Sequence, residues 1–156
     1  ARTADPSAPA TEEAARRWLA GWLAALELPN RESAFIDNGA GLSRDVRLSA
    51  QQLAHLLQHA WRSPVMPELM ASLPVMGADG TLRRWRHNGG TSHLKTGSLR
   101  DSAGVAGYVL ARGGRRLVVV AMLNDANAHA ARPALEALIA WAADGAPSLA
   151  RGEERK

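Results

Sequence analysis

This sequence predicts an α+β fold, a three-stranded antiparallel sheet with helices packed on it. Three observations carry that expectation. Apolar residues recur every three or four positions towards both ends of the chain, three extended runs lie between them, and Gly113-Gly114 joins the last two runs as a hairpin turn would. The expected order is helix, helix, short helix, three strands, helix.

Residues 1–10, with Pro6 and Pro9 among alanines, read as a loose arm. Thr11 then offers an N-cap, and Glu12 and Glu13 suit the positive end of a helix dipole. Trp18, Leu19, Trp22, Leu23 and Leu26 form one apolar stripe to about Glu27, where Pro29 and Asn30 stop the helix. Ala34-Phe35-Ile36 leads into a glycine turn, Asp37-Asn38-Gly39-Ala40-Gly41. Ser49 caps a second helix that carries Leu53, Leu56, Leu57 and Trp61 and ends at Ser63-Pro64. A short helix is expected over residues 67–72, with turns at Gly77-Ala78-Asp79-Gly80 and Asn88-Gly89-Gly90. Strands are expected over residues 92–98, 104–111 and 116–124. The two hairpin strands are apolar on both faces, so helices should cover at least part of each side of the sheet. Pro133 opens the last helix, whose stripe is Leu135, Leu138, Ile139 and Ala142. The folded part is expected to span residues 11–145 as one domain, followed by a polar tail, 146–156.

Composition narrows the function classes. Apolar residues make up 46% and charged residues 22%, as in a globular chain. The longest uninterrupted apolar run, 117–123, is far short of the roughly twenty residues that span a membrane. The N-terminal residues contain no apolar stretch of signal-peptide type, so such a segment is expected to have been removed or to lie upstream. With no cysteine, disulfides and thiolate metal sites are excluded. The formal charge is +4, and 17 of the 19 cationic residues are arginine; the two lysines are Lys95 and the terminal Lys156. Lysine is a compact, titratable ammonium, whereas arginine is a planar fork that stays charged, so Lys95 is chemically singular. Nucleic-acid binding is disfavoured because the arginines are scattered and the aromatics are expected to be buried. His55 and His59 stand four apart, but Leu56 occupies the place where a zinc protease needs glutamate, and they read as a solvated or packing pair. Arg112, Arg115 and Arg116 read as solvating a turn, Arg83, Arg84 and Arg86 likewise, and His87 and His93 as polar residues flanking a strand. No metal or cofactor is expected.

Lys95-Thr96-Gly97-Ser98-Leu99 is the most informative stretch. It puts a compact cation, a hydroxyl and a glycine together on what should be an edge strand. The ammonium can hold an anion or shift a neighbour's pKa, and the hydroxyl can donate to a carboxylate. The glycine removes a side chain, so that a ligand backbone can approach the strand edge. Residues 95–98 are therefore expected to keep one backbone edge open.

Upstream lie Asn38-Gly39-Ala40-Gly41-Leu42-Ser43-Arg44, then Ser72-Leu73-Pro74, then Asp79-Gly80-Thr81-Leu82; downstream come Ala106-Gly107-Tyr108 and the apolar strand ending at Asn124. This succession, over roughly residues 35–125, resembles the penicillin-binding D-alanyl-D-alanine carboxypeptidase/endopeptidase family. The resemblance implies part of a β-lactamase/transpeptidase-like domain in a periplasmic serine acyl-transferase acting on peptidoglycan peptides, with β-lactams as further ligands. It implies that Lys95 sits beside the active serine and assists proton traffic, and that Thr96 helps to bind the terminal carboxylate. It also implies that the Ser98 backbone N–H supplies half of an oxyanion hole, with Gly97 on the substrate-binding strand.

Two parts of the family pattern are not found. The nucleophile is carried by a helical Ser-x-x-Lys and a second motif is Ser-x-Asn, both belonging upstream of this segment. The one Ser-x-x-Lys string, Ser92 to Lys95, falls on a strand, where residues three apart leave opposite faces. Ala40 also replaces the usual serine of the glycine turn. The leading expectation is therefore a fragment that carries the Lys-Thr-Gly wall without the nucleophile; the alternative is a non-catalytic binding or structural module on the same subdomain. The resemblance further implies that strand 116–124 pairs with an N-terminal strand not contained here. Its open edge is expected to lead to self-association, strand borrowing or a covering by residues 1–10.

Overall fold

The computed structural model describes residues 11–37, 39, 41, 43–85 and 92–146. The expected arm, the Asn88-Gly89-Gly90 turn, Asn38 and Ala40 of the glycine turn, Arg86, His87 and the tail from residue 147 lie outside the described residues. The chain divides into two compact units, 1–63 and 64–156, each with its own apolar cluster.

In the first unit, helix α1 runs Glu12–Ala25. The Thr11 side chain accepts from Ala14 N, and Glu12 and Glu13 pair one turn on with Arg16 and Arg17. The helix ends two residues before the expected Glu27, which has φ +50°, as does Asn30 at +49°. Helix α2, Ala50–Trp61, opens with a reciprocal capping box between Ser49 and Gln52. Gln52 is fully buried, unlike the leucines of the expected stripe. Its Oε1 accepts from Ser49 N at 2.8 Å, and its Nε2 donates towards Pro29 O, Asn30 O and Ser33 Oγ at 2.8 to 3.2 Å. One amide thus ties the helix start to the loop after α1. Leu23, Leu26 and Leu28 form the apolar cluster, with Ile36 and Leu56 against it.

The expectation of buried aromatics is corrected. Trp18, Trp22, Trp61, Trp141 and Phe35 are each about two-fifths exposed, and only Trp85 and Tyr108 are buried. Trp18 and Trp22, one helical turn apart, stack on each other at 6.5 Å, and this local pairing occupies part of the stripe.

In the second unit, α3 (Met66–Ser72) and a 3-10 helix, Gly80–Arg84, precede three strands: β1 Ser92–Leu99, β2 Ser102–Leu110 and β3 Arg116–Asn124. The sheet is antiparallel in the order β1-β2-β3, with Thr96 opposite Val105 and Val105 opposite Ala121. Among the described residues both β1 and β3 are therefore edges, as expected. A further 3-10 helix, Ala128–Ala131, leads into α4, Arg132–Ala143. On one face Leu94, Val105, Val109 and Val119 pack with Leu135, Ile139, Met76, Leu82 and Trp85. The β2–β3 hairpin turn uses positive φ at Gly113 and Gly114. Its arginines do more than solvate the turn. Arg112 N donates to Ala143 O, Arg112 pairs with Asp144 at 3.3 Å, and Arg115 donates to Gly145 O. They bind the C-terminus of α4, where orphan carbonyls and the negative end of the dipole favour cations.

Gly107 on β2 faces the β1 backbone with no room for a side chain. Its φ is +148°, and a Cβ there would lie 2.2 Å from the His93 carbonyl oxygen. Gly107→Ala should lower stability by about 3 kcal/mol or more, read as the urea midpoint, because the clash is with backbone on the central strand. A second prediction concerns pH. The Ser43 hydroxyl, and after it Arg16 at 2.6 Å, hold the Asp37 carboxyl below its ordinary value of 3.8 against an opposing desolvation. A carboxylate that titrates lower when folded stabilises above its unfolded pKa and loses that contribution as pH falls through the folded one. Stability should therefore fall below about pH 4, and more gently in Asp37→Asn, as followed by urea unfolding from pH 5 to pH 2.5.

Candidate functional site

The outer edge of β1 is half closed and half open. Residues 74–76 lie along its first half: Met76 N donates to Ser92 O at 2.9 Å, and Leu94 N donates to Pro74 O at 2.9 Å. Val75 forms an isolated antiparallel bridge with His93. Beyond Leu94 no strand lies outside β1 among the described residues. The segment 95–98 is thus an open edge, as its polar composition suggested.

The two strap bonds also fix which backbone groups face outward. In an antiparallel strand, alternate residues direct their N–H and C=O to opposite sides. Ser92 and Leu94 point away from β2, so Thr96 and Ser98 do too, while Lys95 and Gly97 pair with β2. The Ser98 N–H and the Thr96 N–H and C=O therefore face the open edge.

Side chains alternate across the sheet faces in the same way. Ser92, Leu94, Thr96 and Ser98 leave on the face that carries α4; His93, Lys95, Gly97 and Leu99 leave on the other. Lys95 is exposed, and its ammonium donates to Thr96 O at 2.6 Å, which brings the charge round to the open edge. The Thr96 hydroxyl lies 2.5 Å from the Thr81 hydroxyl on the 3-10 helix. Gly97 is exposed, and a Cβ there would meet nothing within 4 Å. No packing within the described residues requires glycine at that position, in contrast to Gly107.

Ser92 is fully buried, and its Oγ has no partner among the described residues. It leaves β1 on the face opposite to Lys95, so the two cannot form a proton-transfer pair. His93 is half-buried, with Nδ1 buried and likewise unpartnered. Arg83 and Arg84 are exposed.

The remaining candidates belong to the first unit. His55 Nε2 lies 3.0 Å from Leu26 O, so this nitrogen carries a proton, and the His59 ring sits edge-on to Trp22. Each histidine has its own structural partner. Among the described residues no group of three His, Cys, Asp or Glu is placed to hold a metal. A cleft of about 370 Å³ is lined by Glu27, Gln51, His55 and Gln58, and includes none of residues 95–98. In the glycine-turn segment, the Ser43 hydroxyl binds Asp37 and accepts from Asp45 N at 3.0 Å, so it is committed to shaping the turn.

Residues 95–98 stand out in the sequence by composition, whereas Thr81, within Asp79-Gly80-Thr81-Leu82, does not. The available signal was a hydroxyl directly before a leucine that proves fully buried.

The chain is similar to known proteins. The chain is 34% identical over 112 residues to carboxypeptidase DacB of Mycolicibacterium smegmatis, an alignment covering 66% of this chain and 24% of that protein. Its fold matches that of penicillin binding protein 4 (dacB) from Haemophilus influenzae complexed with a β-lactam. The TM-score is 0.65 at 22% identity, over 75% of this chain and 28% of the other. A second structure of that protein matches with a TM-score of 0.53 at 24% identity, over 65% of this chain and 23% of the other. The chain thus spans about a quarter of the length of these relatives. A model of the D-Ala-D-Ala carboxypeptidase 3 (S13) family matches residues 3–145, and the chain belongs to that family.

Proposed function

We propose that this chain is the Lys-Thr-Gly wall of a periplasmic, serine-type D-Ala-D-Ala carboxypeptidase/endopeptidase that acts on peptidoglycan peptides. We infer further that it is inactive without a nucleophile supplied from outside these residues. The observation that carries this reading is the open edge at residues 95–98, with Gly97 facing empty space and Ser98 N–H directed outward.

A peptide ending in D-Ala-D-Ala would lie along this edge as an added strand, using the outward N–H and C=O of Thr96. Its terminal carboxylate would accept from the Thr96 hydroxyl. The scissile carbonyl oxygen would approach Ser98 N–H, which stabilises the negative charge of the tetrahedral intermediate. Serine Oγ attacks that carbonyl, the C–N bond breaks, and D-alanine leaves once its amine has taken a proton; water then hydrolyses the ester. Lys95 would leave Thr96 O to face the serine, where its ammonium favours the alkoxide and carries protons. A β-lactam, the kind of ligand complexed with the Haemophilus influenzae relative, would present its ring carbonyl to the same Ser98 N–H. The edge of β3 has no further strand beside it among the described residues, and with Met122 exposed it is where another part of the protein or a second copy would complete the sheet.

Incubated with benzylpenicillin, this chain alone should show no mass increase, and it should release no D-alanine from a D-Ala-D-Ala peptide. A stoichiometric adduct on any serine would overturn the reading. In a full-length enzyme that carries this segment, Lys95→Ala should slow acylation by about 10²–10⁴-fold, and Lys95→Arg should not restore it. Gly97→Ala should hold or raise the melting temperature, since nothing opposes its Cβ, yet weaken acylation. Acylation rates that survive both substitutions would remove the site from this strand.

A further inference from the structure

Resting on the reading that Thr96 binds the substrate carboxylate, we propose that Thr81 is its positioning residue. Its hydroxyl donates to Thr96 Oγ1, so that the single Thr96 proton is left for the ligand.

The construction around Thr81 is specific. The strap that closes the first half of the β1 edge turns back through residues 77–80 into the 3-10 helix Gly80–Arg84. That turn is held by Ala78 N and Asp79 N donating to Val75 O, and by Gly77 N donating to Leu82 O at 3.1 Å. Gly77 and Gly80 supply positive φ, +81° and +54°. Leu82 and Met76 on either side of the turn are fully buried in the sheet's core. Thr81, next to the fully buried Leu82, is thereby placed with its hydroxyl 2.5 Å from that of Thr96.

A threonine hydroxyl has one proton and two lone pairs. In this pair only one proton lies between the oxygens, and either residue could supply it. If Thr96 donates to Thr81, its proton is spent, and it meets an approaching carboxylate with lone pairs. If Thr81 donates, Thr96 turns its proton outward, and the two bonds polarise each other in the direction an anion needs. An arriving carboxylate selects the second arrangement. It can do so because Thr81 has a proton to give and stands on a loop that does not move away. Thr81 thus acts through Thr96 and does not itself touch the substrate in this assignment.

The test uses Thr81→Val, which keeps the β-branched shape and removes the donor, and Thr81→Ser, which keeps the donor. In this chain, three-bond couplings at Thr96 should report one χ1 rotamer in the parent and in Thr81→Ser, and rotamer averaging in Thr81→Val. In a full-length enzyme carrying the segment, kcat/KM would be compared for a peptide ending in a free D-Ala carboxylate and for its C-terminal amide. Thr81→Val should reduce the preference for the free carboxylate roughly tenfold, as expected for a weakened bond to a charged group; Thr81→Ser should restore it, and the amide rate should change little. Thr96→Val distinguishes the two levels. If it abolishes the preference while Thr81→Val leaves both preference and couplings intact, the role of Thr81 is overturned and the reading of Thr96 stands. A Thr96→Val enzyme that still prefers the carboxylate overturns both.

Discussion

Two backbone hydrogen bonds, Met76 N to Ser92 O and Leu94 N to Pro74 O, decide how the motif strand is presented. They fix the phase of the backbone alternation along β1, so every second residue from Ser92 onward offers its N–H and C=O away from β2. A one-residue slip of β1 against β2 would turn the same groups of Thr96 and Ser98 into the sheet. The bonds also stop short of Lys95, which leaves residues 95–98 without an outer strand among the described residues. Much of the rest of the second unit serves to hold this arrangement. Leu82 and Met76 bury the strap's return, Gly107 lets β2 approach β1 at His93, and α4 covers the face from which Leu94 and Thr96 project.

The two glycines in the sheet show how one residue type meets two constraints. Gly107 is required from within, by a positive φ and by a carbonyl 2.2 Å from where a Cβ would be. Gly97 has neither, and its face is empty to 4 Å. A glycine in a strand interior lowers stability through backbone entropy and lost packing, so it calls for a compensating reason. Under the proposed function that reason is the backbone of a ligand.

Polar groups in this chain are committed to local tasks to a degree that composition does not reveal. Gln52 is the most buried polar side chain of the first unit, and its four contacts replace the missing termini partners of a helix and a loop. Arg112 and Arg115 close the end of α4. Ser43 and Arg16 bind Asp37. Lys95, by contrast, donates to the carbonyl of its own neighbour, a contact that costs little to exchange for another acceptor at the same edge.

The sequence by itself determined the element order, because apolar periodicity and glycine or proline punctuation are local properties. It placed β3 at its observed limits and α4 within one residue of its start. It also pointed to the family, through the order of short segments. Three things came only from tertiary structure. Which edge of β1 is open depends on a strap some twenty residues upstream in the chain. The burial of the aromatics depends on what packs against each helix, and the stripe on α1 was spent partly on a Trp18–Trp22 stack. The pairing of Thr81 with Thr96 joins residues fifteen apart through a turn whose geometry rests on two positive-φ glycines and a buried leucine. Local pattern constrains each residue against its neighbours, whereas these contacts are set by how distant segments share one core.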